Sequence, residues 1–259
     1  MDIDNLYLEI TRFCTFECEH CLKGEKEKKN MSSETLDNIF KDVNSVGTIL
    51  LTGGEPLINI RLLEHLCEII KNNNIYVKRI GLVTNGTICT ERHIDALKQL
   101  REVCDYFDFH LSCDLFHRLE WERLQVRDLV DKNFHRYEQE IGLKKFLDND
   151  RFHRVSIFRN GRARYITSDR LKELKNKYYI DYYFSDIDNS SDLCINDESI
   201  SGKLCIDVNG NVVSFNSTFE DEDLTDDVFN VNNDSIGNIV SRFIKSKTDS
   251  YQKTKKILY

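Results

Sequence analysis

Short apolar runs alternate with helix-spaced stretches through roughly the first 185 residues, and this alternation restricts the chain to an α/β fold. Residues 6–11, 48–52, 76–84, 106–112, 154–158 and 178–184 read as strands. Between the first two, Leu36, Ile39, Phe40 and Val43 recur at helical spacing behind Ser32 as an N-cap, with Gly47 as the stop. Leu62, Leu66, Ile69 and Ile70 mark a second helix; Ile94, Leu97 and Leu100 mark a third behind Thr90. Residues 119–147 predict a charged helix broken at Gly142, and residues 167–177 a further helix. Strand–helix–strand order predicts βαβ units and a parallel sheet. The polar motifs of the first four strands follow each strand's C-terminal end, the face where (β/α) barrels carry their chemistry.

The first such loop is Cys14-Thr-Phe-Glu-Cys18-Glu-His-Cys21. Three cysteines in eight residues read as ligands to one metal centre. Beside the bland alternative of unrelated reduced thiols, two ligand sets fit these residues. With His20 they make a Cys3His zinc site; alone they supply three of the four thiolates of a four-iron cluster, leaving one iron open. Nine cysteines, an odd number, do not suit a secreted disulfide framework. The opening Met1-Asp-Ile-Asp-Asn has neither a basic nor an apolar leader region, and no run of about 18 apolar residues occurs. These features predict a cytoplasmic, reducing setting without a membrane span. The net charge of −8 argues against bulk binding to nucleic-acid backbone, although residues 118–177 are a basic island.

Gly53-Gly54-Glu55-Pro56 follows the second strand and holds the chain's one proline. Paired glycines let backbone approach a ligand closely, and no Gly-Lys-Ser/Thr follows to make a phosphate loop. Thr84-Asn85-Gly86 ends the third strand. Ser112 and Asp114, two apart at the end of the fourth, share one side of an extended segment. Cys113 would face the other way as a small buried residue, and His117 is a candidate acid or base. Arg151, Arg154, Arg159, Arg162 and Arg164 make either a solvated basic face or an anion site. Cys67, Cys89 and Cys104 read as packing residues, Cys194 and Cys205 as plain thiols.

In this order, over residues 5–185, the C-x3-C-x2-C loop, the Gly-Gly-Glu-Pro turn and the Ser-x-Asp segment resemble the radical S-adenosylmethionine (radical SAM) superfamily. The resemblance implies a partial (β/α)6 barrel over residues 1–190; residues 191–259 make a C-terminal extension, in which residues 204–215 read as a short β-hairpin turning at Asn209-Gly210, a type I′ signal, and residues 236–244 as a last helix. It implies one 4Fe–4S cluster on Cys14, Cys18 and Cys21, with S-adenosylmethionine on the open iron and reductive cleavage to a 5′-deoxyadenosyl radical. Gly53, Gly54, Glu55 and Pro56 would meet the methionine amino group, and Thr84 and Asn85 the adenosyl group. Ser112 and Asp114 would contact ribose or carboxylate, joined by Arg123 or, as second choice, Arg118. Relatives with an auxiliary cluster carry a cysteine after the hairpin where this chain has Ser214, Phe215 and Asn216, so no second cluster is expected. The expected substrate is a peptide or protein; a nucleotide, gripped by Arg159 and Arg162, is the alternative. A flavodoxin or ferredoxin would donate electrons. A non-catalytic zinc or nucleotide-binding regulatory module is the rival of another class.

Overall fold

The computed structural model describes residues 1–142, 144–145, 154–158, 161–178, 181–185, 194–195, 199–213, 229–242 and 245. Its first half is an unbroken alternation: β1 (Asp2–Thr11), α1 (Ser33–Phe40), β2 (Ser45–Gly53), α2 (Ile60–Asn72), β3 (Tyr76–Thr84), α3 (Glu91–Glu102) and β4 (Tyr106–Leu111). Then come α4 (Leu115–Leu124), α5 (Arg127–Ile141), β5 (Lys144–Lys145), β6 (Arg154–Phe158), α6 (Ser168–Tyr178) and β7 (Asp181–Ser185). β8 (Cys194–Ile195), β9 (Ser199–Ile206) and β10 (Val212–Val213) follow, and residues 236–242 are helical as expected.

β1 to β5 pair in sequence order, all parallel. The helices bury apolar stripes in the core; α2, for example, buries Leu62, Leu63, Leu66, Cys67, Ile69 and Ile70. Leu6, Leu8 and Ile10 of β1 are almost fully buried, as a central parallel strand requires. Among the described residues the sheet does not close. β6 and β7 pair only with each other, and the order is β10-β9-β1-β2-β3-β4-β5 with β8 on β9. The α/β class and the open, parallel-dominated sheet agree with a partial barrel. The C-terminal hairpin is not an appendage, because β9 lies parallel against the free edge of β1.

Several local readings are corrected. Ser32 does cap α1, accepting from the Thr35 amide at 3.0 Å, but the helix stops at Phe40 and Gly47 lies inside β2. A Cβ there would stand 2.5 Å from the Asp4 carbonyl oxygen, so glycine serves the close approach of β1. The single helix over residues 119–147 is two helices, parted where Gln125 takes a left-handed conformation (φ 55°) as the C-cap of α4. Gly142 caps α5 with φ 78°. The β9–β10 connection is not a type I′ turn, since only Gly210 of its residues has positive φ. Asp207 organises a longer loop, accepting from the amides of Asn209 and Asn211 at 2.9 and 2.8 Å. Arg159, residues 214–228 and Cys194's side chain lie outside the described residues.

That loop is tied to the start of the cysteine segment by a wholly buried arginine. Arg12, 0% exposed, bonds Glu9 through Nε at 3.0 Å and lies 3.6 Å from both Asp207 and Glu27. A buried guanidinium is tolerated only when paired in this way. It fixes β1's exit, and so the cysteine loop, against the hairpin.

Candidate functional site

At the C-terminal ends of β1, β2 and β3 the chain encloses a cavity of about 560 Å³. Cys14, Cys18 and Cys21 all line it, facing Gly53, Gly54, Glu55, Pro56, Asn85, Ser112, His117 and Arg162. Residues far apart in sequence converge here because each parallel strand ends on the same side of the sheet.

The cysteine loop and the Gly-Gly-Glu-Pro turn are one interlocked unit. The Gly54 amide donates to the Thr11 carbonyl at 2.7 Å, and the Glu55 amide to the Phe13 carbonyl at 2.9 Å. A Cβ on Gly53 would overlap the Thr11 carbonyl oxygen, and one on Gly54 the Phe13 carbonyl oxygen. The glycines were expected to let backbone approach a ligand; they also let it approach the cysteine loop itself. Gly53 has φ +125°, which only glycine adopts readily.

Glu55 links this turn to β3. It is 1% exposed and accepts from the Leu57 amide (3.1 Å), the Thr84 hydroxyl (2.9 Å) and the Asn85 amide (2.7 Å). Burial pushes its carboxyl up to about 7, outweighing those three donors, which act in the opposite direction. The raised value has a stability consequence. The folded state holds a proton that the unfolded chain releases near 4.5, so stability falls as pH rises from there to about 7, by about 3 kcal/mol in all. Chemical denaturation at stepped pH should show that slope, and Glu55→Gln should flatten it.

Asn85 completes the floor beneath the first cysteine. Its Nδ2 donates to the Thr15 hydroxyl at 2.9 Å and reaches the Cys14 sulfur at 3.6 Å; the Phe16 amide reaches the same sulfur at 3.4 Å. Burial pushes the Cys14 thiol up to about 11 and the Cys18 thiol higher still, with nearby acidic and thiol groups adding to the rise. Thiols so buried ionise only with a cation to compensate, which is the chemistry of metal ligation. The donors nevertheless do not converge on a single ion. A tetrahedral zinc with bonds near 2.3 Å needs its ligand atoms within roughly 4 Å of one another. Among the described residues the one trio gathered within 4.8 Å is His20, Asp114 and His117, with no cysteine in it. A buried Cys18 and half-buried Cys14 and Cys21, separated along one cavity with N–H groups aimed at the Cys14 sulfur, fit a multi-iron cluster better than a Cys3His zinc ion.

The fourth strand behaves differently from the expectation. β4 ends at Leu111, so Ser112 and Asp114 lie beyond the strand, and Asp114, still extended, opens α4. Ser112 lines the cavity, whereas Asp114 turns back as N-cap of α4, accepting from the Phe116 and His117 amides at 2.9 and 3.1 Å. Its other oxygen meets His117 Nδ1 at 2.7 Å and His20 Nε2 at 3.5 Å. Burial alone would raise the Asp114 carboxyl, but the two imidazoles hold it well below the usual range. His20 stacks on Phe116 with ring centroids 4.4 Å apart. It is therefore placed as a neighbour of the cysteines.

Thr84, Asp114, Arg123 and the second choice Arg118 do not line the cavity. Thr84 acts through Glu55. Arg123 grips Glu120 in a fork of two 2.8 Å bonds and is half exposed, because Glu120 in turn accepts from the Glu17 amide at 2.8 Å and steadies the cysteine loop. Arg162 lines the cavity but is committed to backbone carbonyls of the cysteine loop. Sequence reasoning missed Arg12, Glu120 and Asp207. Only Arg12 left a sign, as a lone cation at the end of an apolar strand.

Residues 8–118 match the family model of the Radical SAM superfamily, a span from within β1 to Arg118 in α4. An uncharacterized protein of Methanocaldococcus jannaschii is 29% identical over 101 residues, covering 37% of this chain and 35% of that protein. A probable GTP 3′,8-cyclase of Methanococcus maripaludis is 37% identical over 101 residues, covering 37% of this chain and 33% of that protein. Among solved structures, Streptococcus suis SuiB bound to precursor peptide SuiA aligns with a TM-score of 0.43 and 17% identity, over 81% of this chain and 58% of SuiB. The chain spans about a third of the length of these two curated relatives. No helix among the described residues is long and apolar enough to cross a membrane.

Proposed function

Because this chain belongs to the radical SAM superfamily, we infer that it cleaves S-adenosylmethionine reductively and takes a hydrogen atom from a peptide or protein substrate. The observation that carries the reading is the cavity in which all three cysteines face the Gly53–Pro56 turn, Asn85 and Ser112. Cys14, Cys18 and Cys21 would hold one 4Fe–4S cluster, and the iron they leave unligated would take the cofactor. When bound, cluster and cofactor supply one-electron cleavage of the sulfonium to a 5′-deoxyadenosyl radical.

The chain's own residues do the placing. Gly53, Gly54 and Glu55 form the edge that would receive the methionine amino group, and Asn85 and Ser112 the flank beside the adenosyl group. Arg12 and Asp207 hold the cysteine loop in one position, so that the reacting carbon and the substrate hydrogen meet without search. Deeper in the cavity the lining turns apolar. Val213, Cys205, Tyr7 and Leu50 are register partners across four adjacent strands, and Val83 lies beside them. Such a wall excludes water from a reactive carbon radical.

The peptide reading rests on that apolar wall and on the cations around it. Arg12, Lys23 and Lys26 face Glu9, Glu27 and Glu17, while Arg162 faces backbone carbonyls and Glu25. An apolar side chain suits this lining better than a polyphosphate. The nucleotide alternative draws on the likeness to the GTP 3′,8-cyclase. An electron carrier of the flavodoxin or ferredoxin type would reduce the cluster.

The test offers reduced, reconstituted protein and cofactor either a library of apolar-residue peptides or a set of nucleoside triphosphates. Peptide-stimulated release of 5′-deoxyadenosine is expected. Stimulation by nucleotides alone would replace the substrate reading.

A further inference from the structure

We propose that Arg162 is a positioning residue for the cysteine loop whose fixed positive charge raises the reduction potential of the cluster held there. The inference rests on the cluster reading above. Arg162 lies in the tight helical turn Gly161–Tyr165, more than 140 residues beyond the cysteines, and the fold lays that turn directly on them. Its amide donates to the Cys21 carbonyl at 2.9 Å, and its Nε donates to the Cys18 carbonyl at 3.0 Å. The Cys18 carbonyl also accepts from the Cys21 amide at 3.1 Å. One arginine therefore holds both ends of the Cys18–Cys21 turn. The next turn of chain reinforces the clasp, since Arg170 forks onto Glu19 at 3.1 and 2.6 Å.

Charge follows from the same geometry. The Arg162 side chain is 13% exposed and lines the cavity, whereas its counter-ion Glu25 is 76% exposed and stands 3.6 Å away. Water screens the exposed carboxylate far more than the enclosed guanidinium. The Arg162 contribution to the field at the loop is therefore positive and only weakly offset by Glu25, set against the negative contributions of Asp114 and Glu120 that already act on Cys18. Reduction adds an electron to the cluster, and a nearby positive charge stabilises the reduced form, so net charge and hydrogen bonding raise the potential.

The test is an EPR-monitored redox titration of the reconstituted full chain, wild type against Arg162→Gln, Arg162→Lys and Glu25→Gln, with iron and sulfide assayed on each. Arg162→Gln should lower the equilibrium constant for reduction about tenfold, which is about 59 mV for one electron. Arg162→Lys should recover most of that loss, because the charge returns without the Nε bond. Glu25→Gln should move the potential the other way. Full cluster content in Arg162→Gln with an unmoved midpoint would overturn the proposal. If Arg162→Gln takes up no cluster, Arg162→Lys decides: a midpoint lowered there by the full tenfold, although the positive charge is kept, overturns the proposal equally. Wild-type protein that binds no iron and sulfide would instead sink the cluster reading itself.

Discussion

Replacing any one of Cys14, Cys18 or Cys21 by alanine should yield a protein that holds no stable four-iron cluster and releases no 5′-deoxyadenosine. A cluster with three protein thiolates has none to spare. The loss should be complete in activity and near complete in iron and acid-labile sulfide after anaerobic reconstitution. Controls on the remaining cysteines separate ligation from packing. Cys67 on α2 is 1% exposed within the apolar core, and Cys205 is buried on β9 beside Tyr7. Cys67→Ala should cost about 2 kcal/mol of stability from the lost core volume yet retain cluster content. Cys205→Ser should likewise retain it. Iron content that falls as far in Cys205→Ser as in Cys18→Ala would show that the ligand set had been misread.

Gly54→Ala is the second large effect, and it operates through the backbone. The added methyl would occupy the space of the Phe13 carbonyl oxygen, and no flexible side chain is available there to yield. Either the turn withdraws from the cysteine loop, losing the bonds from the Gly54 and Glu55 amides to Thr11 and Phe13, or the loop itself shifts. Overpacking commonly costs 1–3 kcal/mol, and two broken buried bonds add about 1–3 kcal/mol, so a loss of about 4 kcal/mol is expected. Denaturant titration of the unloaded protein measures it. A Gly142→Ala control has nothing within 4 Å of the new methyl; its φ of 78° should cost only about 1–2 kcal/mol. Equal losses at the two positions would refute the interlock between turn and loop.

How much of this was legible in the sequence differs from element to element. Periodicity alone located β1 to β4 and the helices between them, because buried parallel strands and amphipathic helices write their faces directly into the chain. The order of motifs on successive strand ends brought Cys14, Gly53, Asn85 and Ser112 to one cavity. Asp114 was read as a cofactor contact, and the structure shows it capping α4 as well, a second role that local sequence does not separate from the first. An aspartate before Leu115-Phe116-His117 is as good an N-cap as it is a ligand. Arg162 was read as an anion receptor because arginine's fork suits phosphate. That it meets carbonyls of a loop 140 residues earlier depends on tertiary placement, which no local pattern records. The same holds for Arg12 with Asp207 and for β9 against β1. Those pairings join the two ends of the described chain, and the loops that bring them together carry no periodic signal. The glycines of the Gly53–Glu55 turn were recognised as a close-approach device. That their nearest neighbour is the cysteine loop emerged only from the register of β1 on β2.

The central claim is that three cysteines and the facing turn make a cluster site that cleaves S-adenosylmethionine. The most direct measurement is mass-spectrometric detection of 5′-deoxyadenosine from anaerobically reconstituted, dithionite-reduced protein incubated with S-adenosylmethionine. The structure predicts that 5′-deoxyadenosine accumulates with the wild type and vanishes in Cys18→Ala. Protein carrying a full complement of iron and sulfide but producing none would contradict it.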